Sequence, residues 1–240
     1  MKKESVNKLS IVTLYAVAMG FLEAAVVIYL RNLFYPDGFN FPLKGFIDPN
    51  ILIVEWVREF ATIIMLVTIG LLAGKKFYEK LAYFVYAFAI WDIFYYIFLK
   101  LVLNWPPSLL TWDLLFLIPF PWAGPVIAPL LCTLLMLFTS LIIINFEDKG
   151  KKVRIKAKEW TLMILGILLV LYTWLYDYGK IILQGGFAKD FFTLVHSPGF
   201  IATTQSYMPS NYNWPLFLLG LALSSAGVLI FFNRTKKSKK

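Results

Sequence analysis

The chain has 240 residues, of which 60% are hydrophobic, 18% aromatic and only 15% charged. A soluble chain carries about 45–50% apolar and about 25% charged residues, so there is too little charge here to cover a water-facing surface. A soluble enzyme, a disordered chain and a disulfide scaffold are excluded, the last also because Cys132 is the single cysteine.

Six apolar runs, at 9–30, 51–73, 81–103, 125–145, 160–178 and 214–232, are long enough to cross a bilayer. Only helices or closed barrels satisfy backbone polar groups in lipid. The runs are continuous rather than alternating, which predicts helices. The first follows a basic start, MKKESVNKLS; it is longer than a signal-peptide core and lacks a small-residue cleavage site, so it reads as a retained span. Within it, Ala16 and Gly20 form a small-xxx-small spacing that lets a neighbouring helix approach. After the third run, Pro106 and Pro107 stop the helix, and Ser108 is an N-cap candidate ahead of an apolar stretch ending at Ile118. That stretch would span about 16 Å as a helix, too short to cross. Pro119, Pro121 and Pro125 break it from the fourth run. The prediction is a short re-entrant or interfacial helix at 108–118. The outer loop 179–213 carries Gly185-Gly186, Pro198-Gly199 and Pro209, with Phe187, Phe191, Phe192, Phe200, Tyr207 and Tyr212. It is too aromatic for a linker and is predicted to cap the outer mouth of the bundle.

Net charge is +9, from 23 Lys+Arg and 14 Asp+Glu. Seventeen of the basic residues fall in four clusters, at 2–8, 75–80, 149–158 and 234–240, whereas Arg31, Lys44, Lys180 and Lys189 lie on the opposite side. Six crossings bring all four clusters to one face, which the positive-inside rule names cytoplasmic. The expected protein is an all-α, polytopic bundle of six transmembrane helices plus the short helix, forming one integral membrane domain in the plasma (inner) membrane with both termini cytoplasmic. Basic clusters beside spans bind anionic membrane lipids, and no nucleic-acid partner is implied. Trp56, Trp105, Trp112, Trp122, Trp174 and Trp214 all fall toward the outer face, as an interfacial belt does.

Charges inside spans are costly and face the bundle interior. Glu23, Glu55, Arg58, Glu59, Asp92, Lys100, Asp113 and Asp177 all fall at mid-depth or in the outer half of this topology. Glu55, Arg58, Glu59 and Thr62 follow i, i+3, i+4, i+7 and share one helix face, and Asp92, Tyr96 and Lys100 share another. The inference is a polar, outward-facing cavity lined by the first three spans and covered by the short helix, with Glu23, Glu55, Arg58, Glu59, Asp92, Tyr96, Lys100 and Asp113 as its ligand-binding residues. The plainer reading is structural pairing, Arg58 with Glu55 or Glu59 and Lys100 with Asp113 or Asp177. With Lys180 at the outer end of the fifth span, six carboxylates (Glu23, Glu55, Glu59, Asp92, Asp113 and Asp177) face three bases (Arg58, Lys100 and Lys180), and the surplus of three calls for protons, a cationic solute or a metal. Oxygen ligands from Glu23, Glu59 and Asp92 would suit a hard divalent cation. His196 is the single histidine, and neither GxSxG nor a Walker A motif occurs, so haem, zinc-protease, hydrolase and P-loop chemistries lack their residues.

The runs WDIFYY at 91–96, Trp105-Pro106 and WDLLFLIPFPWAGPVIAP at 112–129, with GFLEAAVVIYLR at 20–31 and EWVREFAT at 55–62, resemble a family of uncharacterised multi-pass membrane proteins from bacteria. The resemblance implies that the polar cluster belongs to a recurring pattern, and it implies no activity. Three functions stay open at this point. The first is a transporter-like or ligand-binding protein for a proton, metal cation or small cationic solute; the second is a membrane-embedded enzyme acting on a lipid or prenyl substrate in the outer leaflet; the third is a non-catalytic assembly subunit.

Overall fold

A computed structural model describes residues 1–43 and 49–237, with the backbone alone for 49, 190–193 and 195. Lys44, Lys239 and Lys240, and the side chains of Phe191 and Phe192, lie outside the described residues. The helices are α1 (Lys3–Phe34), α2 (Pro49–Ala73), α3 (Phe77–Leu103), α4 (Ile127–Asp148), α5 (Ala157–Gln184), α6 (Pro198–Ser206) and α7 (Trp214–Lys237). All except the short α6 and the charge-bearing α2 qualify by length and composition as able to cross a membrane. Only 28–33% of their apolar windows is buried inside the protein, so most of each helix turns an oily surface outward. Leu14, Leu22, Tyr29, Leu101 and Leu134 stand exposed there; such a surface is solvated by lipid, not water. The chain is a multi-pass membrane protein. The 25-residue α2 packs along α3 and completes the six-helix bundle. Several helices run up to six residues past the predicted spans, because basic and polar flanks continue the same hydrogen-bond ladder.

At the centre lies α3, with α1, α2 and α4 packed against it, while α5 pairs with α7. The predicted small-residue seam forms: a Cβ added to Gly20 would lie 2.9 Å from the Trp91 carbonyl oxygen. The α5–α7 contact is closer still, since a side chain at Gly166 would collide with Ser224 Oγ and the Gly220 carbonyl.

One end of the bundle collects the described residues of all four basic clusters. Lys75 Nζ lies 3.3 Å from Glu4, and Lys76 Nζ 2.8 Å from Glu147. The Lys2 amide donates to Asp148 (2.8 Å), and Lys151 donates to the Thr235 carbonyl (3.0 Å). Arg234 pairs with Glu159 at 2.7 Å and also donates to the Arg154 carbonyl. The N-terminus, the α2–α3 turn, the α4–α5 connection and the C-terminal end of α7 therefore meet. Glu147 holds the exposed Lys76 ammonium above its usual pKa.

The opposite end corrects two expectations. Residues 108–118 are not a helix. Ser108–Thr111 closes a turn, in which the Thr111 amide donates to the Ser108 carbonyl and the Leu110 amide to Ser108 Oγ. An antiparallel hairpin follows, β1 (Trp112–Phe116) with β2 (Trp122–Pro125), pairing Asp113 with Gly124 and Leu114 with Ala123. A five-residue apolar run is indistinguishable from a helix by periodicity; the prolines at 119 and 121 instead serve to reverse the chain. The turn also caps α4, since the Val126 and Ile127 amides donate to the Thr111 and Leu109 carbonyls. Second, the loop predicted at 179–213 is largely helical: α5 continues to Gln184, a 3-10 helix spans Phe187–His196, and α6 follows. Its Leu194 and Phe200 cluster with Phe120 at the hairpin tip, and Ile201 and Thr204 line a small cleft with Pro119 and Pro121. It covers the hairpin rather than the main cavity.

The α5–α7 seam yields a prediction. Gly166→Leu should lower the thermal unfolding temperature of the detergent-solubilised protein, at a cost of about 1–3 kcal/mol or more for overpacking. The outward-facing Ile164→Leu should leave it unchanged in the same circular-dichroism melt.

Candidate functional site

A cavity of about 140 Å³ opens between α1, α2, α3 and β1. Its polar lining comprises Glu23, Arg31, Tyr35, Glu55, Arg58, Glu59, Asp92, Tyr95 and Asp113, and Phe34, Phe39, Trp91 and residues 114–117 supply much of its apolar wall. The placement follows from helical phase. Glu55, Arg58 and Glu59 stack on the α2 face turned inward, and Glu23, Val27 and Arg31 recur every four residues on α1. Measured from the basic end, Glu59 lies about 21 Å along α2 and Asp92 about 22 Å along α3, so both sit at the same mid-bundle depth.

Two guanidinium groups organise the charges. Arg58 Nη2 lies 2.7 Å from Glu55 on its own helix, and Nη1 reaches across to the Glu23 carboxylate on α1. Thr62 Oγ1 donates to the Arg58 carbonyl at 3.1 Å. Arg31 Nη2 lies 2.9 Å from Asp113 Oδ1, with its guanidinium carbon 3.8 Å from the Trp105 ring centroid and 4.4 Å from that of Phe39. This is an ion pair sandwiched in aromatic surface, where cation–π attraction adds to the pairing. The Tyr96 hydroxyl donates to Asp113 Oδ2 at 3.2 Å, and the Leu114 amide donates to Oδ1 at 2.8 Å. Glu59 accepts the Leu117 amide with both oxygens, at 3.0 and 2.9 Å. The hairpin is thus pinned to the bundle twice, through Asp113 and through Leu117.

Five carboxylates, Glu23, Glu55, Glu59, Asp92 and Asp113, face two guanidiniums, Arg31 and Arg58; Asp177, Lys100 and Lys180, which the sequence count also included, lie outside the cavity lining. Asp92 Oδ2 is buried with no hydrogen-bond partner, and so are Arg31 Nη1 and Trp91 Nε1. Among the described residues, no three His, Cys, Asp or Glu side chains group closely enough to hold a metal ion.

Of the eight predicted residues, Glu23, Glu55, Arg58, Glu59, Asp92 and Asp113 line the cavity together. Tyr96 does not line it but braces Asp113 from behind. Lys100 is placed elsewhere: it is exposed and donates to the Asn104 and Pro106 carbonyls at 3.3 and 3.1 Å. Asn104 ends α3 in the left-handed region (φ 51°), and a lysine one turn earlier satisfies the freed carbonyls. The pairing of Lys100 with Asp113 is therefore replaced by that of Arg31 with Asp113. Arg31, Trp91 and Tyr95 are among the lining residues missed from sequence. The four-residue recurrence from Glu23 to Arg31 was the available signal for the arginine.

No family profile, curated protein or solved structure matches the chain.

The Arg31–Asp113 pair is open to a double-mutant cycle. Arg31→Met leaves a carboxylate buried and unpaired, and should cost about 3–5 kcal/mol. Arg31→Met combined with Asp113→Leu should regain most of that loss in the same unfolding assay.

Proposed function

We propose that this is a transporter-like or ligand-binding protein of the plasma (inner) membrane. Its basic end faces the cytoplasm, and its acidic cavity opens outward to receive a small cationic solute or a proton. The observation that carries this reading is Asp92 Oδ2, a buried carboxylate oxygen without a partner in a cavity where acids exceed bases. At such a position a carboxylate takes up a proton or holds a cation, because an isolated charge is too costly in this surrounding. Fifteen described basic residues gathered at the far end support the orientation. Glu23 is engaged by Arg58, and both Glu59 oxygens by the Leu117 amide; a metal shared by Glu23, Glu59 and Asp92 would have to displace both contacts, so a solute or proton is the simpler occupant.

Reconstitution tests the reading. Proteoliposomes carrying the wild type should admit methylammonium or acidify an entrapped pH dye, and Asp92→Asn should reduce that flux at least tenfold with its melting temperature unchanged. Equal flux in the variant, or none in the wild type, overturns transport. Orientation is checked separately in a Cys132→Ser background. An impermeant maleimide applied to intact cells should label a cysteine at Lys189 and spare one at Lys152; the reverse pattern overturns the orientation.

A further inference from the structure

We infer that α2 is the gate of the cavity. It pivots where it meets α3 near the basic end, and its outer half swings toward and away from α1, with Arg58 and Glu59 as the latches. The two halves of this helix are packed by different means. Near the basic end only Gly74, Lys75 and Lys76 separate α2 from α3. A Cβ added to Gly70 would lie 2.7 Å from that of Phe84 and 2.9 Å from the Lys80 carbonyl oxygen, and one added to Gly74 would collide with the Lys80 backbone. Leu66 is fully buried and joins the central core, with Ile69 and Ala73 packed against it. Small residues let helix backbones approach this closely, and the contact fixes the inner end.

The outer half lacks such packing. From Asn50 to Thr62 the buried side chains are Glu55, Glu59 and Thr62, all polar. Ile51, Leu52 and Trp56 are half-buried, and among the described residues none of the three joins a core cluster. They border open space on two sides instead. Ile51 and Leu52 line the main cavity, and Leu52 and Trp56 line the small cleft against Phe120 and Phe200. What ties this half to its neighbours is polar: Arg58 reaches Glu23 on α1, and Glu59 accepts the Leu117 amide of β1. A segment with few buried apolar contacts is where a fold opens locally, and the end of an element suffices as a hinge. Leu52 lies 18 residues from Gly70, about 27 Å along the helix, so a tilt of about 10° carries it about 5 Å. Releasing Arg58 from Glu23 and Glu59 from Leu117 frees that tilt and widens the space between α1 and α2.

Pulsed electron–electron resonance on the full chain in lipid nanodiscs tests the gate, with nitroxides on cysteine pairs in a Cys132→Ser background. Leu33→Cys with Val54→Cys reports on the outer halves of α1 and α2, and Ile11→Cys with Leu72→Cys on their inner ends; all four positions are exposed. The outer distance distribution should be at least twice as wide as the inner one. Arg58→Gln and Glu59→Gln should each lengthen the outer distance by about 5 Å. The inner distance should stay unchanged, which also shows that the variant is folded. If a variant fails to fold, the wild-type widths decide the question. Equal widths at the two ends, or an outer distance that neither folded variant moves, overturn the gate. No ligand is added, so the result is independent of the cation reading above and of the flux that tests it.

Discussion

Five carboxyl groups set into the wall of one cavity in a membrane bundle are costly unless something neutralises them, and two guanidiniums do most of that work. Arg58 joins α2 to α1 by sitting between Glu55 and Glu23, and Arg31 joins α1 to the hairpin through Asp113. Those two contacts determine which acids are satisfied and which are left facing the space between the helices. Glu59 is held by a backbone amide alone, and Asp92 keeps one oxygen free. The candidate site is what remains once the arginines have been used.

The two ends of the bundle use charge in opposite ways. At the basic end the pairs Lys75–Glu4 and Lys76–Glu147 involve highly exposed lysines, where water and salt leave each worth little. They tether the turns together without holding the bundle up; that falls to close helix contacts such as Gly20 against Trp91 and Gly166 against Ser224. At the cavity end the Arg31–Asp113 pair is shut away from solvent. It acts as a fastening for the hairpin, since breaking one half strands the other.

The hairpin is the irregular element on which the cavity depends. Non-helical backbone within a membrane bundle needs protein or a water-filled space around it, and here its ladder pairs internally while Leu117 turns its amide to Glu59. Trp122 stacks on Trp174 of α5 with ring centroids 6.1 Å apart, so the hairpin also bridges the two halves of the bundle. Glu59 lines the cavity and also anchors the hairpin, so it ties the cavity wall to the position of that hairpin.

Apolar runs and clustered basic residues were enough to establish six helices and a two-ended charge distribution, because span length and lipid exposure are properties of local composition. Helical phase was enough to assemble Glu23, Glu55, Arg58, Glu59 and Asp92, because residues three and four apart share a face wherever the helix lies. Neither carries information about contacts between segments distant in the chain. Pairing of β1 with β2, the choice of Arg31 over Lys100 as the partner of Asp113, and the use of Glu59 by the Leu117 amide are settled only when α1, α2, α3 and the hairpin are packed. Each of these depends on which groups come within about 3 Å of one another after folding, a distance that no spacing along the chain encodes.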